Sequence, residues 1–100
     1  MNQKELSLEF ITRIKNHNYE EFYKFFTKET VVYLIEEKKE IKVEELVNLL
    51  QSIDFASLEV KRVLESKICT KVETKLNDKE YNFYFDVKSR RIKRLELQIL

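Results

Sequence analysis

Neither glycine nor proline occurs anywhere in these 100 residues. The lack of glycine excludes a glycine-rich phosphate loop, and it hands every turn to Asn, Asp, Ser or a charged residue. Tryptophan is absent too, while cysteine and histidine occur once each, at Cys69 and His17. One thiol cannot form an internal disulfide, and one His with one Cys leaves no ligand-spaced metal cluster. No cofactor and no metal are therefore expected. Neither sign of charge dominates. Nineteen Lys and Arg face eighteen Asp and Glu, a net charge of +1, so no strong field steers the chain toward nucleic acid or an anionic membrane. Long apolar runs are also missing. The first turns carry Lys4, Glu5, Glu9 and Arg13, which excludes a signal peptide or membrane span and makes a cytoplasmic protein the expectation.

What is present suits one domain over residues 1–100, with 43% hydrophobic residues to build a core. The segment 55–99 alternates at period two, the mark of half-buried strands. Ala56, Leu58, Val60 and Leu64 share one parity, and Ile68, Thr70, Val72, Thr74 and Leu76 repeat it. Tyr81, Phe83, Phe85 and Val87 then switch parity. A two-residue turn at Asn77-Asp78 explains the switch, because both residue types tolerate positive φ. It pairs Leu76 with Lys79, Val72 with Phe83 and Thr70 with Phe85, so turn and pattern specify one register. A second turn at Ser89-Arg90 pairs Val87 with Ile92. Leu95, Leu97 and Ile99 are out of phase with Ile92, which predicts a β-bulge near Lys93-Arg94. Val63 beside Leu64 predicts a further irregularity in the first of these strands.

The first half is helical in character. Leu6, Phe10, Ile11 and Ile14 form a stripe that predicts a helix over 4–17, with His17 at its end. Asn18 as N-cap and Glu21 three residues on predict a second helix over 19–27, carrying Tyr19, Phe22, Tyr23 and Phe26 on one side. Thr30 to Ile35 reads as a strand buried on both faces. Residues 36–42 read as a short hairpin arm returning through Ile41. Val43, Leu46, Val47, Leu50 and Ile53 predict a third helix over 43–53. The order is α-α-β-(β)-α-β-β-β-β, and helices followed by strands indicate α+β.

This order resembles the nuclear transport factor 2-like superfamily, the cystatin-like cone that includes ketosteroid isomerase, scytalone dehydratase and polyketide cyclases. The local likenesses are Asn16 to Phe26 at the turn between the first two helices, Thr27 to Val32 at the entry to the first strand, and Arg91 to Glu96 in the final strand. The resemblance implies three N-terminal helices packed in a strongly curved mixed β-sheet, with the last strand beside the first and a cavity at the wide end. Ketosteroid isomerase uses a carboxylate base with a phenol and a protonated acid as oxyanion donors. The resemblance places the phenol position at Phe10, the base position at Leu34, and the acid around Tyr81 to Phe83. None of these has the required group.

Under the resemblance, the cavity would be lined by Phe10, Ile14, Tyr23, Phe26, Tyr33, Thr70, Val72, Phe83, Phe85 and Leu97. Thr70, Thr74, Tyr81 and Arg62 would be its polar contacts. His17 is the natural acid-base candidate, with Tyr23 or Tyr33 as partner; its plainer role is a helix-end residue packed on aromatics. Cys69 reads as a small filler residue. Lys88, Arg90, Arg91, Lys93 and Arg94 cluster at the last turn and read as a solvated turn, nucleic acid being an unexpected partner. The outer sheet face carries Glu59, Lys61, Lys71, Glu73, Lys75, Asp86 and Glu96. The family's homodimer would use this face, yet interface cores are depleted in charge. Three functions remain open. One is a non-catalytic domain binding a small apolar ligand or a protein partner. The second is an isomerase- or dehydratase-like enzyme using His17 with a cavity tyrosine. The third is a pure interaction protein with a filled core and no cavity large enough for a ligand.

Overall fold

A computed structural model describes residues 2–100. Helix α1 spans Gln3–Lys15 and is capped by Asn2, whose side chain accepts the Glu5 amide at 2.8 Å. Its stripe of Leu6, Phe10, Ile11 and Ile14 is buried as the spacing requires. The helix ends at Asn16, and His17 lies beyond it at φ 52°. The expected second helix over 19–27 is instead a 3-10 turn at Phe22–Phe25, entered through Glu21 at φ 57° with no side-chain cap. The physical reason is competition. Phe26 already belongs to strand β1 (Phe26–Leu34), where it pairs with Ile92, so too few residues remain for a second turn of α-helix. Asn18 does not cap; its amide donates back to the Arg13 carbonyl at 2.8 Å.

Strand β1 thus starts four residues before the expected Thr30. Its first part bulges against β6 (Arg91–Ile99), and Thr30 Oγ1 donates to the Ile92 carbonyl there. The hairpin arm is β2 (Lys39–Ile41), pairing Ile41 with Val32. The next helix, α2 (Val43–Gln51), buries Leu46, Val47 and Leu50. Its entry is closed by Lys42, whose amide donates to Glu45 Oε1 at 3.1 Å.

The remaining strands are β3 (Glu59–Glu65), β4 (Thr70–Leu76) and β5 (Lys79–Lys88). The six form one mixed sheet in the order β2-β1-β6-β5-β4-β3, with β1 and β6 parallel and the other pairs antiparallel. The register of β4 on β5 is the one that the Asn77-Asp78 turn demands: Thr70 opposite Phe85, Val72 opposite Phe83, Leu76 opposite Lys79. Val87 pairs with Ile92 and Asp86 with Arg94, which leaves Lys93 as the bulged residue. The two turns that the sequence predicts hold Asn77, Ser89 and Arg90 at φ 55°, 54° and 63°, the geometry of a hairpin turn that glycine would normally supply.

Strand β3 departs from its pattern. Leu58 is buried just before the strand begins, whereas Val60 and Leu64 are 45% and 41% exposed. A register shift between Val60 and Arg62 moves the phase by one, so Val63 rather than Leu64 faces inward opposite Val72. The same shift turns Arg62 outward, opposite Glu73. Ile68 lies outside β4 and is 74% exposed. The strong curvature expected of the sheet is not found either. The bulges bend single strands without closing the sheet, and β2 and β3 remain as open edges. Helix α1 packs over β4 and β5, and α2 over β1.

Candidate functional site

The inner face is where a cavity was expected, and phenyl rings occupy it. Phe10 is fully buried. Its ring centroid lies 4.9 Å from Phe22, 5.2 Å from Phe85, 5.5 Å from Phe25 and 6.2 Å from both Phe26 and Phe83. Most of these pairs are edge-to-face, the preferred geometry for packed aromatics. Ile14, Val72 and Leu97 are buried in the same core. The two threonines of this face are bonded from within. Thr74 donates its hydroxyl to the Tyr81 carbonyl at 2.6 Å. Thr70 Oγ1 accepts from Gln3 Nε2 at 3.1 Å, while Gln3 Oε1 takes the Val87 amide at 2.9 Å. Gln3 thereby ties the start of α1 to the sheet.

The three positions aligned with ketosteroid isomerase chemistry lie in this packed region. Phe10 is at the centre of the ring cluster, and Leu34 is buried in β1. Tyr81 packs edge-on against Phe55 at 5.4 Å. Beside it, Asn82 is buried on the other face and donates to Gln98, which donates in turn to Glu36.

His17, Tyr23 and Tyr33 occupy three different places. His17 is exposed and meets the ring of Tyr19 edge-on at 5.1 Å. Burial pushes the Tyr19 phenol up to about 12, which makes it a poor proton donor near neutrality. Tyr33 sits on the outer face under the Arg94 guanidinium, 5.6 Å from the ring centroid. Tyr23 is 56% exposed and lines an open groove of about 780 Å³. This groove runs between the 3-10 turn, β1, β2 and the start of α2. Tyr23, Phe26, Ile41 and Val43 form its apolar part, with Lys28, Lys42, Glu40 and Glu44 around them. Of the residues expected around a cavity, Tyr23 and Phe26 are the two that the groove brings together.

The outer face is built from charge. Glu73 receives Arg62 Nε at 2.7 Å and Lys71 Nζ at 2.9 Å. These bonds, Arg62's foremost, hold its carboxyl down to about 2. Lys71 also lies over the Tyr84 ring at 5.2 Å. Arg94 pairs with Glu96 at 2.6 Å. Arg62 and Glu73 pair across strands, and the other two pairs lie two residues apart on one strand, an arrangement that suits a solvated face.

Sequence reasoning missed a second surface pocket, of about 460 Å³, between α1, the 3-10 turn and the β5–β6 turn. Arg13 and the Arg90-Arg91 pair meet there, although 77 positions separate Arg13 from Arg90. In the sequence Arg13 reads only as one of the charges of the first turns, and the arginine pair as part of a solvated turn. Among the described residues, no group of three or more His, Cys, Asp or Glu side chains gathers as a metal would need, and no helix is long and apolar enough to cross a membrane.

Many solved structures share this architecture, among them the following three. An NTF2-like protein of unknown function from Cytophaga hutchinsonii matches with a TM-score of 0.75 at 14% identity, over 100% of this chain and 91% of its own. The chain has the nuclear transport factor 2-like fold. AclR from Streptomyces galilaeus, described as a hydroxylase, shares the fold at a TM-score of 0.79 and 13% identity, over 98% of this chain and 88% of its own. A protein from Kribbella flavida described as a ketosteroid isomerase matches at 0.76 and 16% identity, over 98% and 77%. At such identities the nuclear transport factor 2-like likeness establishes architecture, and the fold hosts enzymes and proteins of unknown function alike. No protein-family model and no curated protein matches the sequence.

Proposed function

We propose that this chain is a non-catalytic binding domain that takes a protein partner across the groove beside Tyr23. The observation that carries the reading is the filled inner face. Five phenyl rings crowd Phe10 where the fold's cavity was expected, so binding falls to the surface. The groove there has the make-up of an interface patch: an apolar centre with an exposed aromatic, and a rim of mixed charge. A second reading, a small apolar ligand in the same groove, is favoured by its volume of about 780 Å³, within the range of ligand sites.

A photo-crosslinking residue placed at Tyr23 separates the two. The partner reading expects one discrete protein adduct in cells, absent when the crosslinker is moved to Lys61 on the far edge. Native mass spectrometry of gently purified protein showing a small-molecule mass, released on denaturation, would instead favour the ligand. Adducts at both positions, without a small-molecule mass, would overturn both readings.

A further inference from the structure

The pocket under the last hairpin goes beyond the groove and is independent of it. Its lining is Leu6, Glu9, Arg13, Glu21, Lys24, Phe25, Arg90 and Arg91. Four cations meet two carboxylates there, leaving an excess of two positive charges. One carboxylate, Glu21, is engaged by Lys24 at 3.0 Å. Among the described residues the three guanidinium groups have no carboxylate within salt-bridge distance.

Two of the arginines are held in place. The Arg13 guanidinium lies over the Phe25 ring, 5.6 Å from its centroid, and its buried Nε has no hydrogen-bond partner among the described residues. A buried guanidinium nitrogen without an acceptor is costly, and an anion beside it offsets that cost. Arg91 Nη1 donates to the Arg90 carbonyl at 3.2 Å. The floor is apolar, with Leu6 and Phe25 both buried. Planar guanidinium forks around an apolar floor suit a phosphate joined to a hydrophobic body. A phosphomonoester carries a charge of about −1.5 to −2 near neutrality, which matches the excess.

We propose that this pocket binds a phosphomonoester borne on an aromatic or aliphatic group, with Arg13, Arg90 and Arg91 gripping the phosphate and Phe25 and Leu6 receiving the apolar body. Glu9, which has no salt bridge among the described residues, opposes binding and sets its limit.

The test is a backbone-amide NMR titration of the whole chain with phenyl phosphate. Saturable shifts should centre on residues 6–13, 21–25 and 89–91. Arg13→Gln and Arg91→Gln should each weaken binding about tenfold or more, the loss expected for a charge-assisted contact. Glu9→Gln should strengthen it. Lys93→Gln, a basic residue of the same hairpin outside the pocket, should leave affinity unchanged and serves as the folded control. Benzyl alcohol and inorganic phosphate should each bind more weakly than phenyl phosphate. A phosphotyrosine peptide identifies the source: tighter binding than phenyl phosphate means a phosphorylated protein, equal or weaker binding a free small molecule. The proposal fails if shifts do not saturate, if they spread over all basic residues, or if Lys93→Gln weakens binding as much as Arg13→Gln.

Discussion

Strands β5 and β3 belong to one sheet with β4 between them, and both mix apolar with polar residues, β5 in strict alternation around Phe83 and Phe85 only at its core. β5 has a strand on each side and α1 over its inner face. Its Phe83 and Phe85 are wholly buried. β3 has a single neighbour and buries no residue fully. Period two in the sequence therefore announces a strand, whereas burial depends on a second layer reaching that strand. The open edge is blunted by other means. Glu59, Lys61, Arg62 and Glu65 place charge along it, and the shift between Val60 and Arg62 disturbs its ladder, both of which discourage edge-to-edge pairing.

The largest expected effect tests that contrast directly. Phe83→Ala should cost about 3–5 kcal/mol of stability, as for other buried aromatic truncations. Val60→Ala should cost less than about 0.5 kcal/mol, as for surface sites. Urea denaturation measures both, and similar losses would mean that β3 is covered in solution. A smaller effect sharpens the comparison at the strand between them. Thr74→Val removes the hydroxyl bonded to the Tyr81 carbonyl and should cost about 1 kcal/mol, seen as a lower denaturation midpoint at an unchanged slope. The smallest effect concerns the outer face that β3 and β4 share. The Glu73 carboxyl is held down to about 2 by Arg62 and Lys71. A depressed folded-state value means that this pairing stabilises the fold above the ordinary carboxylate range and is lost as pH falls from there toward 2. Melting temperatures of the wild type and Glu73→Gln should differ most at neutral pH and converge in acid. A constant gap would show that the pairing contributes through geometry alone.

The same contrast explains what could be read from sequence. The register of β4, β5 and β6 was legible because turn chemistry at Asn77-Asp78 and Ser89-Arg90 and the apolar pattern independently fix the same pairing. The out-of-phase Ile92 likewise announced the bulge at Lys93. The stretch 19–27 was misread because Tyr19, Phe22, Tyr23 and Phe26 have helical spacing, while the parallel pairing of Phe26 with Ile92 is a long-range contact that local spacing cannot carry. On β3 parity misleads, because a one-residue shift at Lys61 reverses the faces beyond it. The expected cavity failed for a reason of volume, since apolar residues that line a hollow and those that fill one have the same sequence pattern. The arginine pocket was illegible because Arg13 reaches Arg90 and Arg91 only once α1 has docked.

Strand β6 is the last of the six in sequence, yet it is third in the sheet. Among the described strands, it alone is hydrogen-bonded to both β1 on one side and β5 on the other. Without residues 91–99, the strands β2-β1 and β5-β4-β3 share no hydrogen-bonded ladder, and the edges of β1 and β5 have no partner. Completion of this fold is thus timed by its final strand, and a nascent chain stalled before Arg91 is the form most exposed to chaperones and to aggregation.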